Sequence, residues 1–432
     1  MKITKFEVQG YKNLVAPCCL DELGDINVLH GPNDVGKSNL LEALELAFRL
    51  LGAGDFLPFT SPRTLSDEAF AKLTGRPLRY AFNLDEPAPI RLRIDLSILP
   101  LELARVGIQQ LLPCDHVSIS QTLEHDQAGK AQWKIQEFRF SNGRDAAVPS
   151  GKDIDEWALK FALFLARHHL VGGKEGRARC QLVPAHRIPG LTATARAVED
   201  SSLALDLYDA RESPEPLLRG RWGLFREVVG RLIGLDSERA VSVRFDRHLN
   251  EAQLLVEGPQ SILPLDLMGS GTQQIAGLVG HLLLSGASIL AIEEPELNLR
   301  YERQEELRDA LRHIVEDGRG PGQLFLSSHS PVFEFGPHFY SLEPGPKGPV
   351  VYRRPSETAA TLLGWGRVPE VFDGSRAVQS YVSSEGVLKL PQSVMASLEL
   401  PHGGGVVFEL DEAGRTEILS NAKFIERYEL PS

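Results

Sequence analysis

The alternation of apolar and polar positions predicts that the chain begins with a strand, a loop and a helix. Residues 2–8 alternate as a strand does, and residues 26–29 form a short apolar run that ends just before Gly31. From Lys37 onward the apolar positions follow a helical spacing, and they are Leu40, Leu41, Leu44 and Phe48. The pattern therefore predicts a buried strand that runs into a glycine loop and then into a helix.

The next part of the chain shows alternation that is typical of an antiparallel sheet. Residues 78–98 and 115–140 are predicted to be strands of this sheet, packed beside the first buried strand. Residues 153–171 are spaced as an amphipathic helix, and residues 182–185 form another short apolar strand. Residues 190–240 combine charges and prolines with helical spacing, so we expect an inserted helical arm there.

Strands and helices are then predicted in alternation. Residues 243–258 are expected to form a hairpin, followed by a helix at 273–284 and a buried strand at 288–292. A charged helix at 300–316 and a further apolar strand at 323–327 come next. Short apolar strands of this kind are typical of a parallel sheet that is covered on both faces, so the fold class is α/β.

Composition and charge place the chain among soluble globular proteins. Of its 432 residues, 42% are apolar and 24% are charged, and the formal net charge is -12 at pH 7. This balance argues against a surface coated for nucleic-acid binding, although a local basic groove is compatible with it. The four cysteines form no CxxC pair, and the sequence shows neither a signal peptide nor 18 consecutive apolar residues. We therefore expect a cytoplasmic protein without a membrane span.

Residues 31–38 read GPNDVGKS and carry the strongest chemical signal in the chain. They fit G-x-x-x-x-G-K-[ST], in which glycines let backbone N–H groups surround phosphates while the following helix points its positive end at the same anion. We expect Lys37 to contact the β- and γ-phosphates of ATP and the Ser38 hydroxyl to bind Mg²⁺. The other residues expected around the nucleotide are Asn33, Gly36 and Asn39.

A second motif follows the apolar strand at 288–292, where Glu293 and Glu294 begin the run EEPE. The carboxyl ends of strands in α/β sheets border the ligand-binding crevice, so these carboxylates are expected to face the phosphate loop. Glu293 is then placed to hold Mg²⁺, directly or through water, and Glu294 to orient or deprotonate the attacking water. An acidic helix start is the alternative interpretation of the same residues.

Four motifs in this order resemble the ABC-type ATPases of the SMC, RecF and OLD group. They are the phosphate loop with its helix at 36–44, a serine-glycine signature at 269–273, the acidic strand end at 293–297, and a histidine after a strand at 327–330. The resemblance covers roughly residues 1–340. It implies a P-loop NTPase head with a mixed sheet, an antiparallel β subdomain and an inserted helical arm. Such heads bind ATP and Mg²⁺ and close head to tail as a homodimer or higher homo-oligomer.

The resemblance also implies roles for individual residues. Ser270 and Gly271 resemble the signature that contacts the γ-phosphate held by the opposite subunit, and Gln273 and Gln274 are both candidates for positions near that interface. His329 resembles the switch histidine that touches the γ-phosphate, and it joins Lys37 and Glu294 as a catalytic residue. Taken alone, without the family, Ser270 is better interpreted as a helix N-cap and His329 as a histidine satisfied at a strand end.

The chain departs from the family pattern at three points. The acid after the strand is Glu293, where many relatives have an aspartate; glutamate still binds Mg²⁺ but reaches further. Arg300 stands where a histidine often closes the E-P-E-L segment. The glutamine loop of the family has several matches, and these are Gln109, Gln110 and Gln121.

The end of the chain is predicted to form a separate small β module. We expect the ATPase domain at 1–345, a linker at 346–380 and the module at 381–432.

No D-x-D or acidic cluster on strands supports the metal-dependent nuclease domain of many OLD proteins. Residues 386–419 resemble the swapped hairpin of AbrB and MazE, which implies dimerisation, and a plain hairpin of the ATPase domain is the alternative. Eight acidic and four basic side chains in 385–432 weaken the case for DNA binding.

These motifs predict an ATPase that drives or gates a separately encoded effector, a nuclease or a toxin, in anti-phage defence or DNA maintenance. ATP would close two subunits and hydrolysis would reopen them. The alternative is a nucleotide-gated scaffold, or a toxin–antitoxin-like regulator, with little turnover. Nucleic acid is a further candidate partner, and the sequence identifies neither the effector nor the trigger.

Overall fold

The computed structural model describes residues 1–52, 62–85, 87–98, 115–125, 130–141, 180–185, 203–234, 241–246, 251–258, 261–330, 332–333, 338–354, 397–400, 406–410 and 416–428. The chain divides into two compact units, Met1–Ser356 and Glu357–Ser432. The helix predicted at 153–171 lies outside the described residues, as do Gln109 and Gln110. Within the described part, no helix is long and apolar enough to cross a membrane.

A six-stranded sheet forms the centre of the first unit. Its strands, in spatial order, are β15 (Val350–Arg354), β14 (His338–Glu343), β3 (Ile26–His30), β13 (Gln323–Ser328), β12 (Ile289–Glu293) and β8 (Cys180–Val183). Only β14 and β15 are antiparallel to each other, and every other neighbouring pair in this sheet is parallel. Strands β12 and β13 are apolar and buried on both faces, as the short apolar runs predicted.

A second sheet is antiparallel throughout. Its strands, in spatial order, are β2 (Cys18–Leu20), β1 (Lys2–Gln9), β5 (Ile90–Ser97), β6 (His116–His125), β7 (Ala131–Ser141) and β4 (Arg63–Leu65). The strand predicted over 78–98 is correct only from Ile90, because residues 78–80 form a single 3₁₀ turn. Pro87 and Pro89 precede β5, and a proline cannot donate a hydrogen bond to a strand ladder.

Helix α1 (Lys37–Gly52) packs against strands of both sheets and buries its apolar stripe between them. Helix α2 (Asp67–Thr74) follows, with Ser66 accepting a hydrogen bond from the amide of Ala69 as its N-cap. Gln323 at the start of β13 also joins the sheets, because its side-chain amide exchanges two hydrogen bonds of 2.8 Å with the backbone of Ile3. The two sheets and α1 therefore form one packed body.

The other face of the central sheet is covered by helices and a small sheet. The helices are α3 (Leu203–Glu212), α4 (Pro216–Leu232), α5 (Ser270–Leu284) and α6 (Tyr301–Asp317). The small sheet contains β9 (Val241–Asp246), β10 (Glu251–Glu257) and β11 (Ile262–Pro264), so the predicted hairpin at 243–258 is confirmed. Apolar side chains from the four helices and from β9 and β10 form one continuous core with β12 and β13.

The helices predicted at 190–240 are present, but over residues 203–234 they pack onto the core and do not project from it. Helix α4 buries Trp222, Phe225 and Val229, and Arg319 donates to the carbonyl of Gly220 over 2.8 Å. The charged residues that suggested an arm occupy the outer face of these helices, as in any amphipathic covering layer.

The second unit contains a hairpin of β16 (Val406–Leu410) and β17 (Thr416–Ser420), followed by helix α7 (Asn421–Arg427). The hairpin agrees with the strands predicted there. Ser420 caps α7, and the guanidinium of Arg427 pairs with Glu409 and Glu417. Strand β15 lies inside the range predicted as a linker and pairs with β14, so the first unit extends beyond the boundary predicted at residue 345.

Candidate functional site

The loop between β3 and α1 has a backbone that only glycine permits at two positions. A Cβ atom on Gly31 would lie 2.4 Å from the carbonyl oxygen of Leu342. Gly36 has a φ of +115°, and a Cβ atom there would lie 2.8 Å from Oδ1 of Asn13. The two glycines of the phosphate-loop pattern are therefore required by close contacts, and the loop leads directly into the N-terminus of α1, where backbone N–H groups suit an anion.

Lys37 is buried, with 6% of its surface exposed. Its ammonium donates to the carbonyl oxygens of Gly31 over 2.7 Å and of Pro32 over 2.9 Å, and it lies 3.1 Å from Nε2 of His329. These three contacts match the three donors of an ammonium group. A phosphate entering the loop would offer Lys37 acceptors with more negative charge than the carbonyls have.

The mouth of the loop is formed by exposed residues, including Asn33 and Ser38. Ser38 lies in the first turn of α1, so its hydroxyl is accessible to a ligand at the helix start. Asn39 is half-buried: its Nδ2 donates to Oδ1 of Asn13 over 2.8 Å, and its Oδ1 accepts from the ammonium of Lys12 over 3.2 Å. The side chain of Asn39 is thus engaged within the chain, and its expected nucleotide contact would have to come from its backbone or from rearrangement.

The acidic residues lie at the same edge of the sheet as the loop. In the parallel register, Ser328 pairs with His30, and Glu293 pairs with Ser327 on the other side of β13. Glu293 is therefore only one strand removed from the strand that carries the loop. The chain then turns sharply at Glu294, which has a left-handed φ of +42° and donates its N–H to the carbonyl of Ser327 over 2.9 Å.

His329 connects the loop to the acids. Its Nε2 lies 3.1 Å from the ammonium of Lys37 and 3.6 Å from Oε1 of Glu294. The structure thus brings together Lys37, Glu294 and His329, the three residues expected to be catalytic. The imidazole thus lies between a cation that can bind anions and a carboxylate that can accept a proton, and groups of these kinds can serve phosphoryl transfer to water.

The donor set at this edge fits Mg²⁺ bound together with a nucleotide. Ser38 and Glu293 would supply two oxygen ligands, and Mg²⁺ takes six, usually including phosphates and several waters. The described residues contain no cluster of three or more His, Cys, Asp and Glu side chains that could hold a metal ion.

The signature motif opens helix α5. Ser270 is exposed, and the N-cap position before it is Gly269, which has no side chain that could cap the helix. A Cβ atom on Gly271 would lie 3.0 Å from the carbonyl oxygen of Asn298, so the helix start packs against the loop that follows the acids. An exposed helix start without a side-chain cap is suited to an anion presented from outside.

Gln273 has a different environment from the one expected of a nucleotide ligand. Its Nε2 donates to the carbonyl oxygens of Asp266 over 3.0 Å and Met268 over 2.9 Å. Both donors of the amide are thereby used to hold the loop in front of α5. None of the hydrogen bonds described for this motif reaches the phosphate loop of the same chain.

Gln121 is not a glutamine-loop residue, and this corrects one of the three alternatives. It is 1% exposed, its Nε2 donates to the carbonyl of Ala47, and its Oε1 accepts from Nε1 of Trp133, both over 3.1 Å. The side chain satisfies buried polar groups between α1 and the antiparallel sheet. A period-2 strand pattern does not distinguish such a core amide from an exposed one.

Two carboxylates near the site were not identified by sequence reasoning as functional. Glu42 pairs with Lys12 and accepts from the hydroxyl of Tyr11 over 3.1 Å and from Arg76 over 2.8 Å. Burial, followed by the charge of Glu42, raises the pKa of Tyr11 above its ordinary value. This group fixes the turn after β1 beside the phosphate loop. The second carboxylate is Glu296, in the EEPE run.

The chain is similar to a known protein family and to several solved structures. The family described as AAA domain, putative AbiEii toxin, Type IV TA system matches residues 26–100 and 190–333, just over half of the chain. An Smc head bound to the C-winged helix domain of ScpA aligns with a TM-score of 0.50 at 13% identity, covering 84% of this chain and 100% of that chain. No curated protein matches the chain.

Two other head domains have the same coverage pattern. An Smc head with an extended coiled coil, bound to the C-terminal domain of ScpA and derived from Pyrococcus furiosus, gives a TM-score of 0.49 at 12% identity, covering 84% of this chain and 99% of that chain. The SMC head domain from Thermotoga maritima gives 0.43 at 12% identity, covering 82% and 99%. The ranges that match the family contain the phosphate loop, the signature, the acidic strand end and His329. The chain therefore belongs to this AAA family, and its fold is that of an SMC head.

Proposed function

We propose that this protein binds ATP with Mg²⁺ and hydrolyses it in a site that a second copy of the chain completes. The convergence of Lys37, Glu294 and His329 beside the phosphate loop is the observation that carries the proposal. Each group has a task at a triphosphate: the ammonium binds the β- and γ-phosphates, the carboxylate handles the attacking water, and the imidazole contacts the γ-phosphate.

Binding begins at the loop. The backbone N–H groups between Gly31 and Ser38 and the N-terminus of α1 surround the phosphates. Lys37, which is held against two loop carbonyls, moves its donors to phosphate oxygens without leaving its buried position. Mg²⁺, held by Ser38 and Glu293, would neutralise charge on the transferred phosphoryl group.

Hydrolysis needs a positioned water. Glu294 accepts a proton from that water while the oxygen of the water forms a bond to the γ-phosphorus. At the same time, the bond between the γ-phosphorus and the bridging oxygen of ADP breaks. His329 donates a hydrogen bond to the γ-phosphate and lies between Lys37 and Glu294, so it contacts both the group that binds and the group that reacts.

A second copy is proposed because the hydrogen bonds described for the signature do not reach the phosphate loop of its own chain. Ser270 is exposed at an uncapped helix start, and the described hydrogen bonds of Gln273 stay within its own loop. In a head-to-tail pair, the α5 start of one subunit would cap the γ-phosphate held by the other. ATP then acts as the clamp between subunits, and hydrolysis releases it.

We further propose that closure of the pair gates a separately encoded effector, a nuclease or a toxin, in anti-phage defence or DNA maintenance. Two kinds of observation support it: the Smc heads of similar fold have ScpA domains bound to them, and the family description names a putative toxin. The hairpin of the second unit is a candidate dimerisation element in this scheme.

Mixing two inactive variants tests the shared site. The Lys37→Ala variant has a disabled phosphate loop and an intact signature. The Ser270→Arg variant has an intact phosphate loop and a disabled signature. We expect neither variant to hydrolyse ATP alone and the mixture to recover turnover, because the mixed pair contains one intact composite site. Failure to recover, with mixed pairs present by native mass spectrometry, excludes the head-to-tail site. Wild-type turnover no higher than that of Lys37→Ala would favour the nucleotide-gated scaffold.

A further inference from the structure

Glu296 holds the loop that carries His329. One carboxylate oxygen, Oε1, accepts three hydrogen bonds from this loop: from the hydroxyl of Ser328 over 2.8 Å, from the amide of His329 over 2.8 Å and from the amide of Ser330 over 3.2 Å. Backbone N–H groups bound by a charged acceptor are held more firmly than those bound by a neutral one. The orientation of the His329 backbone is therefore set by a side chain from a different segment.

A second bridge joins the same two segments. Gln304, in the first turns of α6, donates from Nε2 to the carbonyl of Leu299 over 2.9 Å, and its Oε1 accepts from the hydroxyl of Ser330. Leu299 closes the loop that begins with Glu294. The loop 294–299 and the loop 328–330 are thus connected by two side chains in addition to the backbone bond between Glu294 and Ser327.

Glu296 lies in its loop between a residue that is close to His329 and a residue that contacts the start of α5. Two residues before it stands Glu294, 3.6 Å from His329, and two residues after it stands Asn298, whose carbonyl lies against the start of α5 at Gly271. A displacement of α5 or of residues 296–299 therefore changes the acceptor on which the backbone of His329 depends.

We propose that Glu296 is a positioning residue, which fixes His329 opposite Lys37 and transmits movement of the signature helix and the 294–299 loop to that histidine. The inference rests on the proposed function for its consequence, because only a γ-phosphate gives His329 something to sense. Its structural half, the control of the 328–330 loop by one carboxylate, can be measured without nucleotide.

Two substitutions of Glu296 weaken its hydrogen bonds to the 328–330 loop to different degrees. Oε2 is buried and accepts no hydrogen bond within the described residues, whereas Oε1 accepts all three. Glu296→Gln keeps a neutral acceptor for the loop and places an NH₂ group where Oε2 lies. Glu296→Ala removes the acceptor altogether. Glu306→Ala is the matched control, since Glu306 is a carboxylate of α6 that pairs only at the surface with Arg303.

Hydrogen exchange on the full-length protein is the primary measurement. In Glu296→Ala we expect amides of the peptide 323–330 to exchange about tenfold faster than in the wild type, with a smaller rise in Glu296→Gln and none in Glu306→Ala. The phosphate-loop peptide 26–38 should be unchanged in all three. Added ATP with Mg²⁺ should protect peptide 26–38 in every variant but should protect peptide 323–330 poorly in Glu296→Ala.

Enzyme kinetics provide the second measurement. We expect Glu296→Ala to lower kcat about tenfold or more while the Kd for ATP stays within about threefold of wild type, because Lys37 and the loop backbone are untouched. Glu296→Gln should recover part of kcat. This split distinguishes positioning of His329 from a general loss of structure, which would weaken binding and turnover together.

Three results would overturn the inference. They are unchanged exchange of peptide 323–330 in Glu296→Ala, an equal rise in peptide 26–38, and full protection of peptide 323–330 by ATP in that variant. If wild-type protein hydrolyses no ATP and yet exchange rises only in peptide 323–330, the proposed function fails while the positioning of His329 by Glu296 holds. The two failures are therefore separable.

Discussion

The ammonium of Lys37 lies 3.1 Å from Nε2 of His329, although the two residues are 292 positions apart in the sequence. The contact joins the loop after β3 to the loop after β13, and these strands are direct neighbours in the central sheet. A group that binds Lys37 from the crevice would therefore also lie close to His329, and the roles proposed for these two residues depend on this proximity.

Replacing Lys37 by alanine should abolish productive nucleotide binding. We expect the Kd for ATP to rise at least about tenfold, because hydrogen bonds to a charged phosphate contribute about 1.5–3 kcal/mol. Isothermal titration calorimetry measures this change. Lys72→Ala is the control, since Lys72 is an exposed lysine of α2 that pairs with Glu68 at the surface. Equal affinity in Lys37→Ala and wild type would contradict the site.

Replacing Gly36 by alanine should damage the loop without touching a charged group. The added Cβ would combine a φ of +115° with a contact of 2.8 Å to Asn13. We expect a loss of about 1–3 kcal/mol in stability and weaker ATP binding. Gly223→Ala, inside helix α4 with no atom within 4 Å of the new Cβ, should instead stabilise by about 0.5–1 kcal/mol. Urea unfolding compares the stabilities of the Gly36→Ala and Gly223→Ala variants. Similar unfolding midpoints would show that a side chain at position 36 causes no backbone strain.

Replacing Glu294 by glutamine should separate binding from hydrolysis. The amide keeps the shape of the side chain but cannot accept the proton of the attacking water. We expect ATP affinity to be retained and kcat to fall by about 10²–10⁴, with ATP-bound pairs accumulating. Phosphate release and light scattering after size exclusion measure the two effects. Glu68→Gln on the surface of α2 should change neither, and wild-type turnover in Glu294→Gln would remove this residue from the mechanism.

Replacing Gln323 by leucine should loosen the contact between the two sheets. The side chain is fully buried and pairs with both the N–H and the C=O of Ile3. Leucine leaves these groups without partners, which costs about 2–4 kcal/mol. The urea midpoint reports the loss. Gln253→Leu, at an exposed position of β10, should have little effect on the urea midpoint. A comparable loss of stability in this variant would show that removing any polar side chain is destabilising, whether or not it is buried.

The buried cysteines should resist alkylation. Burial raises the pKa of Cys18 to about 12, and burial also raises the pKa of Cys180 well above its ordinary value, so both thiols stay protonated at pH 8. Iodoacetamide should label them only after unfolding, as peptide mass spectrometry can show. Because the unfolded thiols ionise first, stability should fall as pH rises above about 9. Rapid labelling of native Cys18 would contradict its burial.

The sequence is most informative where function depends on local order of residues. The phosphate loop has its strand, glycines and helix in succession, and short apolar runs identify β12 and β13 to within a residue or two. The approach of His329 to Lys37 follows from the order of motifs through the family resemblance, and no periodicity would reveal it. The overall α/β class was therefore predictable.

Other features depend on contacts between distant side chains. The hydrogen bonds of Glu296 reach residues more than thirty positions away, and those of Gln121 satisfy groups in α1 and β7. Helices α3 and α4 carry enough charge to suggest an arm, yet their apolar stripes pack on the core. Such outcomes are set by tertiary packing, which local spacing does not encode.

Strand β13 has a parallel partner on each side, and Gln323 anchors its first residue to β1. A shift of one residue would turn every side chain to the opposite face, so this strand cannot slide between its neighbours. Any movement of the His329 backbone is therefore limited to a rotation of the few residues after Ser328. This short segment, residues 328–330, is the part of the chain whose amides the carboxylate of Glu296 holds.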